Sequence, residues 1–531
     1  MPGSNSLHAS RRRPFLAAAA AAALPLVLSL FLAGPPAGAQ TIRYIETDPQ
    51  QAGTAQPGQL GLPEALWSGS TRKGLGDAID RVEAAHAVAA HRALTAMLKA
   101  AAAPPAPAKP GEVLDPPLIA RRVLALARLG AEDDALALAG RTPQEFRADG
   151  VLAAEADIRL LRNDLAGACN IPTGNPAATA TTAWQKLRAF CSHALGQPDA
   201  ATAAAMLGSL TAKSADDTFA DLFLALQFPD RPKPAGIVPA KPLHAAMYRF
   251  LRLRPAGAQD LPDGPAPVLA SLSRNPNLPV ALRTLAMERA LAANAGSADI
   301  LAQLYLEGGG TEGVGPAYRS AAFAQNARAK LAAMPALWSA AQEAGLAAQL
   351  APLTAGMAAV ADPAAASPDV ILGALRTALL AGDRQAVGAW RDALTAASLL
   401  PEGAANRDRS YALLALAGES VPPAEQWWAA WLTAAKPSDA QQQLVGGSLG
   451  ALGNAFALMP SPKISRNSDA GKIARLAEKA PGEAALRALA ALGDGGKPDI
   501  AMQVTAVRTL ALVHPGHARA LALELAVASG L

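Results

Sequence analysis

Several strings in this chain spell patterns that elsewhere hold a nucleophile or a phosphate. Gly446-Gly447-Ser448-Leu449-Gly450 reads G-x-S-x-G, the sharp turn that exposes a hydrolase serine between a strand and a helix. The residues before it, Ala440-Gln441-Gln442-Gln443-Leu444-Val445, read as helix with no β/α alternation around them, so the glycines read as a close helix contact. Gly308-Gly309-Gly310-Thr311-Glu312-Gly313 reads G-x-G-x-x-G, but it follows the helical stretch Ile300 to Glu307 where a dinucleotide site needs a strand. A flexible loop is expected there. Gly495-Gly496-Lys497 runs into Pro498, which lacks the hydroxyl that a phosphate loop offers to magnesium.

The two cysteines, Cys169 and Cys191, flank the turn-rich segment Asn170 to Pro176, which places them on consecutive helices of a hairpin. In an oxidising compartment they are expected to form a structural disulfide. His193 follows Cys191 by two residues and so lies on another helix face, which argues against a Cys/His site. The histidines at 86, 91, 193, 244, 514 and 517 form no ligand set, since His86 and His91 are five apart and His514 and His517 flank Pro515-Gly516. No metal, cofactor or catalytic residue set is therefore expected. Trp427, Trp428 and Trp431 share one predicted helix, with 427 and 431 on one face and 428 beginning the next. Filling of the core is the simpler reading; an exposed anchor makes these three the candidate partner-binding residues.

The elements that must position these residues are helical. The chain of 531 residues is 51% hydrophobic, 17% charged and 4% aromatic, and its wealth of Ala and Leu points away from sheet. Its first residues decide compartment: Arg11, Arg12 and Arg13 form a basic start, Phe15 to Ala33 is an uncharged apolar run, and Ala37-Gly38-Ala39 before Gln40 suits signal peptidase. Cleavage is expected between Ala39 and Gln40, giving a periplasmic or secreted protein without a membrane span. An uncleaved anchor is the rival reading. Arg12-Arg13-Pro14-Phe15-Leu16 also spells a twin-arginine core, although a plain basic start is simpler because nothing downstream suggests a preloaded cofactor. The formal charge of +4 includes those three arginines, so the mature chain carries +1 and shows no basic face for nucleic acid.

Punctuation divides the chain into a signal peptide (1–39), a flexible tether (40–63), an N-terminal helical segment (64–100), a Pro/Ala-rich linker (101–117), helical repeats (118–228), a Pro-rich linker (229–242) and a C-terminal helical array (243–531). In the N-terminal helical segment, apolar spacing predicts one helix from Gly76 to Lys99. In the repeats, Gly130, Asn163 and Gly196 are 33 residues apart, each followed by an alanine, Ala135, Ala168 or Ala201. An apolar helix runs into each, and acids open the next: Glu132 and Asp133, Asp164, and Asp199.

Over Leu118 to Leu210 this pattern resembles the tetratricopeptide-like helical repeats, with Leu129-Gly130 and Leu195-Gly196 before the turns and a looser echo from Leu380-Ala381-Gly382-Asp383 to Ala386. It departs where the family's tryptophan falls on Leu126 and Ser192 and its aromatic on Asp133 and Asp199. The resemblance implies an all-α fold of helix-turn-helix units stacked into a right-handed α-solenoid, with a concave protein-binding surface. Glu419-Ser420 is similar to the acid–serine pair of soluble lytic transglycosylases, but Val421-Pro422-Pro423 replaces that family's aromatic and G-L-M-Q continuation. The expected function is a non-catalytic protein-interaction scaffold in the cell envelope. A peptidoglycan- or polysaccharide-acting enzyme and a structural spacer of envelope components are the alternatives.

Overall fold

A computed structural model of the chain describes residues 48–531, except residues 84, 108–113, 148, 175–180, 197–205, 207–215, 231, 255–256, 455–458 and 494–497. The expected signal peptide, the Ala39–Gln40 cleavage point, Asp199, Ala201 and Gly495-Gly496-Lys497 lie outside the described residues. Those that are described form an all-α fold of 24 α-helices, with short 3-10 turns, a single isolated bridge between Ala55 and Ala100, and no strand.

The 33-residue period marks a change of backbone hand. Gly130, Asn163 and Gly196 all take positive φ, at 76°, 64° and 69°, after the helices Leu118–Arg128, Asp149–Leu161 and Thr182–Ala194. The left-handed residue reverses the chain and lets the following amide reach back to a helix carbonyl: Ala131 N–H donates to Leu126 O at 3.0 Å and Asp164 N–H to Arg159 O at 2.8 Å. The second helices, Glu132–Arg141 and Leu165–Gly174, then start with acid, and Asp164 accepts from Gly167 N–H at 2.9 Å. Ala135 and Ala168 are fully buried where the paired helices approach. The echo at Gly382 behaves alike, with φ 70° and Asp383 capping Ala386 N–H.

Successive helices are packing neighbours along most of residues 118–528. The first helices also pack on the last. Arg72–Asp80 lies against Pro481–Ala491, and Val88–Lys99 against both Pro481–Ala491 and Pro515–Ala528. One apolar cluster accordingly holds Leu75, Ile79, Leu94 and Leu98 together with Leu486, Leu489, Leu510 and Leu521. Two further clusters fill the middle of the chain, one centred on Phe190, Phe219 and Phe223, the other on Tyr305, Met334 and Leu337.

Two expectations for the N-terminal part need correction. Residues 48–63 of the expected tether are docked. Gln50 accepts the Leu118 amide at 2.9 Å, Thr54 N–H donates to Lys99 O at 2.9 Å, and Gly53 abuts Ala101 so closely that a Cβ would lie 2.4 Å from its nitrogen. Arg122, only 4% exposed, clamps the segment by donating to Gln50 O at 3.3 Å, Ala52 O at 2.8 Å, Leu98 O at 2.7 Å and Ala100 O at 2.6 Å. The segment is held through its backbone, so it shows no apolar period.

The single helix expected over Gly76 to Lys99 is instead two, Arg72–Asp80 and Val88–Lys99. The backbone groups freed by the break find remote partners. Arg128 donates to Val82 O, Asn294 to Ala85 O and His86 O, and Gln349 to His86 O. Val88 N–H donates to Glu524 Oε1 at 2.7 Å and Ala89 N–H to Oε2 at 2.9 Å, a carboxylate cap supplied by the final helix. As expected, no helix passes through the prolines from Phe228 to Lys241 among the described residues.

Candidate functional site

The residues singled out by chemistry fall mostly into structural roles. Cys169 and Cys191 are joined as a disulfide between Leu165–Gly174 and Thr182–Ala194, with Cα atoms 5.6 Å apart and both side chains buried. Trp427, Trp428 and Trp431 are 3%, 4% and 1% exposed on Ala424–Ala435, so the exposed-anchor reading is overturned. Their rings pack on one another, with centroids 5.5 and 4.9 Å apart, within the large apolar cluster. In an alanine-rich bundle, three large rings fill volume that short side chains leave open.

The G-x-S-x-G string lies inside Asp439–Ala451 with Ser448 fully buried. A Cβ on Gly446 would lie 2.3 Å from Pro460 O and one on Gly447 2.8 Å from Val504, so both glycines permit close helix packing. The G-x-G-x-x-G string is a loop, but not a free one. Arg319 donates to Tyr305 O at 2.9 Å, Gly309 O at 2.6 Å and Gly310 O at 3.0 Å. Carbonyls facing a guanidinium are the reverse of the amides that cradle phosphate. Glu419 pairs with Arg391 at 3.2 Å. His86 and His91 contact the carbonyls of Ala292 and Leu129. No group of three metal-ligating side chains able to share an ion occurs among the described residues.

Two features unseen in the sequence bring charged groups together. The first is an open groove of about 630 Å³, built from the helix Val88–Lys99, the turn at Gly130, the ends of Asp149–Leu161 and Ala266–Ser273, and the start of Ala298–Leu306. The turn and the opposite wall touch: a Cβ on Gly130 would stand 2.5 Å from that of Ala295. Glu132, Asp133 and Asp134 occupy the first turn of Glu132–Arg141, where the helix dipole favours acid. Lys99 reaches Asp134 at 3.2 Å, and Arg162 reaches Glu132 and Asp133, both at 2.7 Å. Arg92 is exposed in the groove and has no ion-pair partner among the described residues. Burial, with the neighbouring charges of His514 and Arg92, pushes the His517 imidazole down to about 4, and burial also lowers that of His91. Among the described residues the groove is thus a surface of paired charges with one cation, Arg92, outside any ion pair.

The second is a cavity of about 350 Å³ beside Asp216, which opens Asp217–Gln227 by capping Phe219 N–H. Lys241 at 2.6 Å, Lys186 at 3.3 Å and His244 at 3.2 Å all converge on one Asp216 oxygen. Burial opposes the Asp216 charge, but the Lys241 hydrogen bond and the neighbouring cations hold this carboxyl below the usual range. Burial lowers the His244 imidazole. Asp157 faces the same cavity; it is open to solvent yet ringed by protein, and this enclosure pushes its pKa up to about 7. The two carboxyls of this cavity are therefore shifted in opposite directions. Asp216 is legible in the sequence as an acid just before a helix, but the approach of Lys241 and His244 across a proline-rich linker is not.

Among the described residues no helix is long and apolar enough to cross a membrane. Comparison of the chain with protein-family models, curated proteins and solved structures finds no match.

Proposed function

We propose that this chain is an exported, non-catalytic protein-interaction scaffold of the cell envelope. The observation that carries the reading is the open groove, whose walls come from several helix pairs and whose charges of both signs suit an extended segment of a partner. The Cys169–Cys191 disulfide supports an oxidising compartment. The test places a photo-crosslinking residue at position 92 in the groove and, separately, at Lys73, which is 76% exposed and lies outside it. A discrete protein adduct from position 92, absent from position 73 and lost on Arg162→Glu, is the expected result. Adducts that ignore the groove substitution would refute it.

A second reading, an enzyme acting on envelope polysaccharide, is favoured by one observation. Asp157, its carboxyl raised, shares a cavity with Asp216, whose carboxyl is lowered, and a pair shifted apart in this way is found in glycosidases. Release of soluble sugar fragments from peptidoglycan by the purified protein, abolished in Asp157→Asn, would establish it in place of the scaffold.

A further inference from the structure

At the far end of the chain a cleft of about 550 Å³ lies between the loop at Ile464–Arg466 and the helices Asp469–Ala477 and Ile500–Val513. Arg466, Arg475 and Arg508 line it, all three exposed, and the one acid among its lining residues is Glu478. Arg475 donates to the carbonyl of Arg466 and so fastens the loop against the helix. The side chains of Arg466 and Arg508 have no hydrogen-bond or ion-pair partner among the described residues. This contrasts with the groove, where most charges are paired. The remaining wall is apolar and includes Leu512, 58% exposed although it sits on a helix whose other leucine, Leu510, is fully buried.

We propose that this cleft binds a phosphate ester carrying an apolar substituent. Three guanidinium groups set against one carboxylate leave two uncompensated positive charges, which match a phosphate monoester of about −1.5 to −2 at neutral pH better than a singly charged carboxylate. The planar fork of arginine pairs its N–H groups with two oxygens of such an ester at once. Leu512 and Ile464 supply contact for an aliphatic substituent, which bare phosphate lacks. The site is separate from the groove and stands whether or not the scaffold reading holds.

The test is calorimetric titration of the full exported chain with hexyl phosphate, inorganic phosphate and hexanol, together with sedimentation with phosphatidic acid or phosphatidylcholine vesicles. Hexyl phosphate should bind at least tenfold more tightly than inorganic phosphate, and hexanol should not bind. Arg466→Gln combined with Arg508→Gln should weaken hexyl phosphate tenfold or more. Among the described residues these side chains hold nothing else in place, and unchanged circular dichroism checks that the fold persists. Leu512→Ser should bring hexyl phosphate to the affinity of inorganic phosphate, and Arg384→Gln, outside the cleft, should change nothing. Capture by phosphatidic acid but not phosphatidylcholine vesicles, lost in the double variant, identifies a lipid source; binding of hexyl phosphate without vesicle capture identifies a soluble ester. Hexyl phosphate binding no tighter than inorganic phosphate, binding unaltered in the double variant, or a preference for an oligo-aspartate peptide would each overturn the proposal.

Discussion

Replacing Arg122 with methionine removes the clamp on residues 48–55 while keeping a side chain of similar length. Four carbonyls, those of Gln50, Ala52, Leu98 and Ala100, lose a charged donor. At the lower end of about 1.5 kcal/mol for a hydrogen bond to a charged group, that is about 6 kcal/mol. Burial pushes the guanidinium down to about 10 from 12.5, so its desolvation costs about 3 kcal/mol, which the substitution returns. A net loss of about 3 kcal/mol is left, in the range for breaking a buried charged interaction. Because the contacts tie one segment to two helices, the loss should be local before it is global. Limited proteolysis should cut the variant first within residues 48–63, and urea unfolding followed by tryptophan fluorescence should show a lower midpoint. Unchanged protection of that segment, with a midpoint shift worth less than about 0.5 kcal/mol, would refute the reasoning.

Glu524→Ala should cost about 2–3 kcal/mol in thermal or urea unfolding, since it leaves the Val88 and Ala89 amides without an acceptor in a buried place. Burial raises the Glu524 carboxyl above its ordinary value, so its contribution is fullest below that value and is lost as pH rises through the folded pKa; Glu524→Gln should therefore flatten the decline in stability as pH rises above the ordinary carboxylate value. The same sign applies to Asp157, raised from 3.8 to about 7: wild type should lose stability between those values relative to Asp157→Asn, and chemical-shift titration should place its midpoint near the upper one. Trp431→Ala, which empties a site only 1% exposed, should cost about 3–5 kcal/mol in the same unfolding assay. Cys169→Ser, or reduction, opens a bridge between residues 22 apart and should cost about 3 kcal/mol, read as a lower melting temperature in the presence of reductant.

What could be read from the sequence was local. The reversals at Gly130, Asn163 and Gly196 were visible because a left-handed residue after a helix selects glycine or asparagine wherever it occurs. The cysteine pairing followed from two short helices joined by a turn. Features that depend on distant partners left no such trace. Nothing near Ala85 shows that Asn294, Gln349 and Glu524 will satisfy its broken helix, so continuous apolar spacing suggested a single rod. Gln50 and Gly53 looked like tether residues because their contribution is an amide acceptor and a lack of bulk. The charged groove and the Asp216 cluster are likewise assembled from segments far apart in the chain, each carrying an unremarkable charge.

Glu524 also imposes a timetable. The amides it caps are 436 residues earlier, so at about 5–20 residues per second their partner emerges roughly 20–90 s after they do. Throughout that interval the greasy side of Val88–Lys99 lacks the cover that the final helix supplies.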